Sequence, residues 1–456
     1  MRTFWLLAIL VSLVGCGTES AVPVPNTAMP VQQQPTDAAV PPTASVATPA
    51  EPTAVPAEPT ILPPPTIVPP TALPSPVPST VVPVIQVPEQ ILFLRQAQLI
   101  AHDPRAQREV VLADDVRDFV ASPDARQIAL LRGAGRSGEI WVVARDGSNI
   151  RQITRNDRAE SRIAWAPDGS ALVYGSAATS VEYQHEWLAW SRWCMAAEVR
   201  VVDLATGGEQ ALALGCDPVV SPDGKRIAYA APPLIPAPGY PADGPMVGNS
   251  IRLINRLGQN GWNFAKAQGA DEGLVVYAPA FSPDGQSLSY QRYMGMQVEV
   301  DINLSEVGGS FDGKGVPFGE GSGWLFAPQY APNGQIVALS SYDPGNARGL
   351  IGYGAWGVQL VGMTGSREIF LPEGPRTVVG QDLGRLAGGQ RIAWAPNGQA
   401  LLVELPANWQ PNSDLESWSD GSGTLWLWVP GSDPHQPVIE NVDFGSPLAW
   451  LPPVSP

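Results

Sequence analysis

Cysteine and histidine are almost missing from this chain, and basic residues are scarce. Only three cysteines and three histidines occur in 456 residues. The cysteine spacing fits no zinc-binding pattern. Lysine and arginine together number 27 against 43 acidic residues, for a formal net charge of −16. That balance excludes the basic stripes with which proteins neutralise nucleic-acid phosphates. It also argues against attachment to an anionic membrane surface by charge alone. No Gly-x-x-x-x-Gly-Lys-Ser/Thr phosphate loop and no Gly-x-Ser-x-Gly nucleophile elbow is present. With 44% of residues hydrophobic, the chain can still build a substantial core.

What is present is a short phrase repeated six times. It reads Ser122-Pro123-Asp124-Ala125, Ala166-Pro167-Asp168-Gly169, Ser221-Pro222-Asp223-Gly224, Ser282-Pro283-Asp284-Gly285, Ala331-Pro332-Asn333-Gly334 and Ala395-Pro396-Asn397-Gly398. Pro presets φ for the second position of a type I turn, Asp or Asn suits the third, and Gly supplies the left-handed residue that closes a hairpin. Turn chemistry explains the whole phrase, so the repeated Asp is not read as catalytic. Repetition at this spacing points to a β-propeller, a ring of small sheets around an axis.

One blade shows the grammar. Phe119-Val120-Ala121 is the inner strand and Gln127 to Arg132 the second. Glu139 to Val143 and Arg151 to Thr154 follow, separated by a turn at Arg145-Asp146-Gly147-Ser148. β-branched and aromatic residues fill the strands, with Gly, Asp and Asn at the turns. The blade resembles those of the TolB-type propellers and related Pro-Asp-Gly-repeat proteins. Ile128-Ala129-Leu130, Ile140-Trp141-Val142, Asp146-Gly147 and Ile153-Thr154 occupy the positions of that pattern, and Ile227-Ala228-Tyr229 repeats the second-strand signature. The resemblance implies an all-β propeller of four-stranded blades over about residues 91–452. It implies no particular activity, because such blades serve many proteins. The amino-terminal α/β domain of true TolB is replaced here by a proline-rich segment.

Six turns start six blades, near 119, 163, 218, 279, 328 and 392. Ile91–Leu94, Gln98–Ala101 and Glu109–Leu112 read as three strands lacking an inner one, and Leu448–Leu451 as an inner strand lacking outer ones. Joined, they close the ring as a seventh blade, and this reading favours seven blades over six.

The first residues are read as a processing segment. Arg2 is followed by an apolar run, Phe4 to Val14, too short to span a bilayer comfortably, and the run ends Leu13-Val14-Gly15-Cys16. This resembles a bacterial lipobox. The expectation is a signal peptide at 1–15 and a lipidated Cys16, the alternative being an ordinary signal peptide with an incidental cysteine. Gly17 to Gln90 holds 20 of the 49 prolines and no Lys or Arg. Such a stretch cannot pack as sheet or helix. It reads as a disordered tether, with a fully extended reach on the order of 200 Å at about 3.1 Å per residue. The propeller is then expected to be extracytoplasmic, anchored to the cell envelope through its lipid.

Blades 2, 3, 5 and 6 carry long insertions at one equivalent place, between their second and third strands. They cover about 176–197, 231–249, 341–355 and 406–422, and so emerge on one face of the ring. Propeller cores need no such loops, and long loops in compact domains are commonly functional. They are rich in aromatic residues: Tyr183, Trp187, Trp190, Trp193, Tyr240, Tyr342, Tyr353, Trp409 and Trp418, with Trp356 at an edge. Tyr183, Trp187 and Trp190 have the spacing of one side of a short helix. Two readings stay open: the rings contact a ligand, or they form a small core that pins the loops. Cys194 and Cys216 lie nearly opposite one another once the intervening hairpin folds back. A disulfide is expected in an exported protein, with two free thiols as the alternative.

No metal or cofactor is expected. His102 and His435 read as turn residues on one face and His185 as a loop residue on the other, so they share no site. Asp414, Glu416 and Asp420 read as a solvated acidic loop without EF-hand spacing. The leading functional expectation is a non-enzymatic module binding an envelope protein or a glycan. The alternative is a carbohydrate-active lyase or hydrolase using loop carboxylates such as Glu182/Glu186 or Asp414/Glu416.

Overall fold

The computed structural model describes residues 89–133, 138–178, 183–184, 186–232, 234–240, 244–267, 273–295, 297–303, 316–322, 324–342, 357–371, 374–409, 422–433 and 436–454. The expected signal peptide, Cys16 and the tether through residue 88 lie outside them. The described chain is a β-propeller. Six of its sheets have four antiparallel strands and a further one has five, giving the seven blades of the ring. A two-stranded hairpin, Ile235–Pro236 with Met246–Val247, stands outside the blades.

The inner strands, in chain order, are Val116–Ala121, Arg158–Trp165, Cys216–Val220, Val275–Phe281, Trp324–Leu325 with Gln329–Tyr330, Ile392–Trp394 and Ala449–Leu451. The middle strands of each blade are covered on both sides by neighbouring blades. They therefore read as continuous apolar runs, as in Gln127–Arg132 and Leu401–Pro406, rather than as alternating patterns.

The repeated phrase forms the turn between first and second strands. In every copy the fourth residue donates its amide to the carbonyl of the first, from Ala125 N to Ser122 O at 2.8 Å through Gly398 N to Ala395 O at 2.8 Å. That fourth residue is left-handed throughout, with φ of 55° at Ala125 and 68–70° at the five glycines. Ala125 therefore occupies a conformation that glycine adopts at lower cost. The side chain at the third position braces the turn. Asp223 Oδ1 accepts from Ser221 Oγ at 2.6 Å and from Lys225 N at 3.0 Å, and Asp284 repeats the arrangement with Ser282 and Gln286. The bonds from Ser221 and Ser282 hold these two carboxylates below the usual range. The two best-preserved copies add a link between blades. Trp165 Nε1 donates to Val120 O at 3.0 Å, and Trp394 Nε1 donates to Gln329 O at 3.1 Å.

The ring closes as the sequence implies. Gln90, Ile91 and Leu92 pair antiparallel with Leu451, Trp450 and Ala449, so the carboxy-terminal strand becomes the innermost strand of a blade whose other three come from residues 90–113. Arg145 locks this blade to the next. It is 4% exposed, its Nε donates to Gln90 Oε1 at 2.8 Å, and its Nη1 donates to Pro452 O at 2.6 Å. On the other side, Asp443 accepts from the amides of Gln96 and Ala97. One element departs from the four-strand grammar. Gly357–Leu371 and Gly374–Ala387 form a hairpin far longer than a blade needs. Its ladder is interrupted between Gly362 and Ser366, where Gly365 takes a φ of 85°.

Leu451 is 5% exposed and packs with Leu92, Leu94 and Phe119 across the closure. Leu451→Ala is expected to cost about 2–5 kcal/mol in chemical denaturation. Leu257→Ala, at a position 62% exposed, should stay within about 0.5 kcal/mol. Equal stability of the two variants would show that the terminal strand does not hold the ring.

Candidate functional site

An antiparallel blade sends the connection between its second and third strands to the face opposite the Pro-Asp-Gly turns. The inner strands begin on that same face. All four insertions leave there, spanning 179–197, 232–249, 343–356 and 407–421 between the flanking strands. Residues 343–356 and 410–421 lie outside the described residues. With them go Tyr353, Trp356, Trp418, Asp414, Glu416 and Asp420. Glu182, His185 and His435 are likewise outside. Tyr342 ends the strand Ile336–Tyr342 and pairs with Trp324.

The insertion of blade 2 folds into a helix, α1, over Trp187–Ala196. Glu186 caps it, its carboxylate accepting from Leu188 N at 3.1 Å and Ala189 N at 2.5 Å. Tyr183 precedes the helix, so the expected Tyr183–Trp187–Trp190 stripe is not formed. The inward face is instead Trp187, Trp190, Trp193 and Cys194, all buried. Trp190 and Trp193 are 0% exposed, Trp187 9% and Trp409 8%. These four rings pack within the fold, the second of the two readings that the sequence leaves open. Trp190 meets Tyr277 and Trp324 at centroid distances of 5.7 and 5.4 Å, and those two rings stack on one another at 3.8 Å. Trp187 packs edge-on to Tyr240 and donates to Met246 O at 3.0 Å, joining the insertions of blades 2 and 3. Trp409 donates to Ala387 O at 3.1 Å, tying blade 6 to blade 5. Tyr240 is the one candidate among the described residues left widely exposed, at 54%.

Two adjacent residues anchor α1 to the inner strand of blade 3. Cys194 and Cys216 are disulfide-bonded, with Cα atoms 4.9 Å apart. Closing a loop of this length stabilises by about 3 kcal/mol in the chain-entropy account. Next to it, Asp217 Oδ2 accepts from Trp190 Nε1 at 2.8 Å and from Ala278 N at 3.3 Å. Its other oxygen faces Arg162 Nε at 3.4 Å.

Trp190 thus fills the channel mouth beside blades 3, 4 and 5. On the other side of the mouth lies a cavity of about 430 Å³. Its walls include Arg117, Asp118, Ser161, Arg162, Tyr183, Trp193 and Arg391. Aligning the blades on their turns explains the set. The position four residues before each turn holds Asp118, Arg162, Asp217, Ala278, Ala327 and Arg391. Register breaks fall at or beside this position in the first four of these strands, and Arg162, Asp217 and Ala278 have φ of 55°, 51° and 47°. Bulges of this kind re-aim side chains next to sites. The two alanines lie in the blades whose Tyr277 and Trp324 pack against Trp190. This layer lies outside the loop aromatics, and its signal in the sequence is the shared offset from the turns.

Burial governs the charges. It raises the Asp118 carboxyl despite the pull of Arg391, Arg162 and Arg117. Burial lowers the Arg391 guanidinium, with Asp118 and Glu404 opposing the shift and Arg162 adding to it. At Arg162 burial also acts downward, but Tyr183, Asp217 and Asp118 outweigh it and the net shift is upward. Burial pushes the Tyr183 hydroxyl well above its ordinary value. Glu160 also lines the cavity, yet its carboxylate turns toward blade 1, accepting from Thr154 Oγ1 at 2.7 Å, Asn156 Nδ2 at 2.9 Å and Ile140 N at 3.1 Å. His102 sits inside the strand Gln98–Asp103 rather than at a turn, 6% exposed, with Nδ1 3.7 Å from Glu109. Among the described residues no group of three or more His, Cys, Asp or Glu side chains is placed to hold a metal ion.

No protein-family model and no curated protein matches the chain. Solved structures of similar shape include an oligogalacturonate lyase in complex with manganese, at 14% identity over 73% of this chain and 82% of that one, with a TM-score of 0.47. A putative TolB from Agrobacterium tumefaciens is similar at 18% identity, over 54% and 83% of the two chains, with a TM-score of 0.38. TolB from Acinetobacter baumannii is similar at 13% identity, over 80% and 83%, with a TM-score of 0.38. Identities this low carry no activity across to this chain. Its ring of blades and its Pro-Asp-Gly turns make the fold a TolB-like β-propeller.

Two buried glutamates set the response to pH. Burial raises Glu404 from 4.5 to about 8, against the Gly445 amide and Arg391. Burial likewise raises Glu160 from 4.5 to about 7. A carboxyl group with a raised folded pKa holds its proton more tightly folded than unfolded. Its contribution therefore favours the fold at low pH and is lost as pH rises from about 4.5 through the folded value. The melting temperature should fall between pH 5 and pH 8, and Glu404→Gln should flatten part of that fall. An unchanged slope in the variant would mean that Glu404 is not the group responsible.

Proposed function

We propose that the protein is a non-enzymatic binding module that takes its ligand at the channel mouth on the insertion-bearing face. The observation that carries this reading is the coincidence of two features at one end of the channel. The four long insertions leave the blades on that face, and a charged cavity opens beside the described part of the blade 2 insertion. The insertion aromatics support the module as structure. They wall and narrow the mouth, and the ligand is met by Tyr183, Tyr240 and the inner-strand layer. The partner classes are an envelope protein or a glycan. We further propose that Cys16 is acylated and that residues 17–90 hold the propeller away from an extracytoplasmic membrane face.

The competing reading, a glycan lyase or hydrolase, needs paired carboxylates free to transfer protons. Glu186 is engaged as the cap of α1, which counts against its use as an acid or base. A screen of glycans and peptides followed by product analysis separates the two readings. Binding with the ligand recovered intact supports the module, and cleaved product would replace it with the enzyme. Metabolic labelling with a clickable palmitate tests the anchor: wild type should label and Cys16→Ala should not. Equal label in both would remove the tether from the account.

A further inference from the structure

We propose that the channel-mouth cavity is a carboxylate site, in which Arg162 and Arg391 grip the acid group of a small monoanionic ligand. The proposal rests on the binding-module reading and deepens it by naming the ligand chemistry.

The chain as a whole is strongly acidic, yet three arginines line this one cavity. Arg391 donates Nε to Gly445 O at 2.9 Å, and its guanidinium lies 3.7 Å from the Phe326 ring centroid. Among the described residues its two Nη groups make no hydrogen bond. Arg162 directs Nε to Asp217, and among the described residues its Nη groups make none either. Two planar forks therefore border one space with their ends unused, the geometry in which arginine takes a carboxylate through paired hydrogen bonds. One further donor belongs to the same wall. Ser161 Oγ is buried without a hydrogen-bond partner, on a residue 6% exposed. Buried polar groups left unpaired carry a cost that a ligand acceptor relieves. The walls are thus rich in donors and ask for an acceptor.

Charge decides which acceptor. Arg117, Arg162 and Arg391 line the cavity together with Asp118, Asp217 lies beside it against Arg162, and the Glu160 carboxylate is turned away toward Thr154 and Asn156. The balance is one positive charge, which a carboxylate cancels. A phosphate dianion would leave the cavity negative beside two aspartates. Phe119, Val120, Ile163, Val219 and Leu448 add apolar wall for the body of the acid. A volume of about 430 Å³ falls within the ordinary range for small-ligand pockets. Two sources present this chemistry, a sugar acid and the carboxy terminus of a short peptide.

Calorimetric titration of the full chain at low salt tests the site. The probes are D-glucuronate with D-glucose as its neutral control, N-acetyl-alanyl-leucine with its carboxamide, and inorganic phosphate. At least one acid should bind, at least tenfold more tightly than its neutral control and than phosphate. Which acid binds identifies the source. Arg391→Gln and Arg162→Lys should each weaken it at least tenfold. Ser161→Ala leaves the Arg162–Asp217 contact in place and should weaken it severalfold, which keeps the test valid if an arginine variant fails to fold. Acid and neutral control binding alike, phosphate binding best, no acid binding at all, or full affinity in Ser161→Ala together with a folded arginine variant would overturn the proposal. If no acid binds but the wider screen still yields an intact ligand, the carboxylate assignment falls and the binding module stands. If an acid binds and is converted to product, the site stands and the module reading falls.

Discussion

Asp217 holds together the parts of this propeller that differ from a plain ring of blades. It is 1% exposed and sits at a bulge in the inner strand of blade 3. One oxygen receives the indole of Trp190 and the amide of Ala278, and the other faces Arg162. The residue before it is bonded covalently to α1 through Cys194. A buried carboxylate is costly unless it is paired and hydrogen-bonded, and here the pairing fixes three things together. It sets the depth to which the aromatic insertion enters the channel, the direction of one arginine, and the position of the wall between plug and cavity.

Everything around that junction is repetitive. Blade geometry follows from turns whose serine, aspartate and glycine each satisfy a local demand, and the ring follows from the pairing of residues 90–92 with 449–451. The repetition supplies six near-equivalent positions, each four residues before a turn. The equivalence is broken by Asp118, Arg162, Asp217 and Arg391 in four blades and alanine in two. The alanines leave room for Trp190, and the charged residues border the space it does not fill. The aromatic insertion, for which the sequence leaves ligand contact and packing both open, is core in the structure, and its packing borders a polar cavity lined by the strands beneath.

The architecture was legible because each of its signals is local. Pro167-Asp168-Gly169 specifies a turn wherever it occurs, and Ile91–Leu94 lacks an inner strand that Leu448–Leu451 lacks outer ones to join. The face carrying the insertions followed from strand parity alone. The roles of Trp190 and Trp193 were not legible, because a tryptophan on a loop is the same residue whether it points to water or to Tyr277. Only the long-range contacts distinguish the cases. The Arg162–Asp217–Arg391 layer was legible in principle, since its members share one offset from their turns. A charged residue just before an apolar strand has the pattern of a strand end at the surface, so the offset alone does not mark a buried layer. The bulges that turn these side chains into the channel leave no mark in the sequence.

The measurement that bears most directly on the account is native-state hydrogen exchange of the α1 amides, residues 187–196, in wild type and in Asp217→Ala. If Asp217 anchors the plug, the wild-type helix should exchange as slowly as the surrounding strands. The variant should lose about 3–5 kcal/mol of protection there, the usual cost of removing one partner of a buried ion pair, even with the disulfide intact. Fast exchange of α1 in wild type, or unchanged protection in Asp217→Ala, would contradict the view that this insertion is core and that the cavity owes its shape to it.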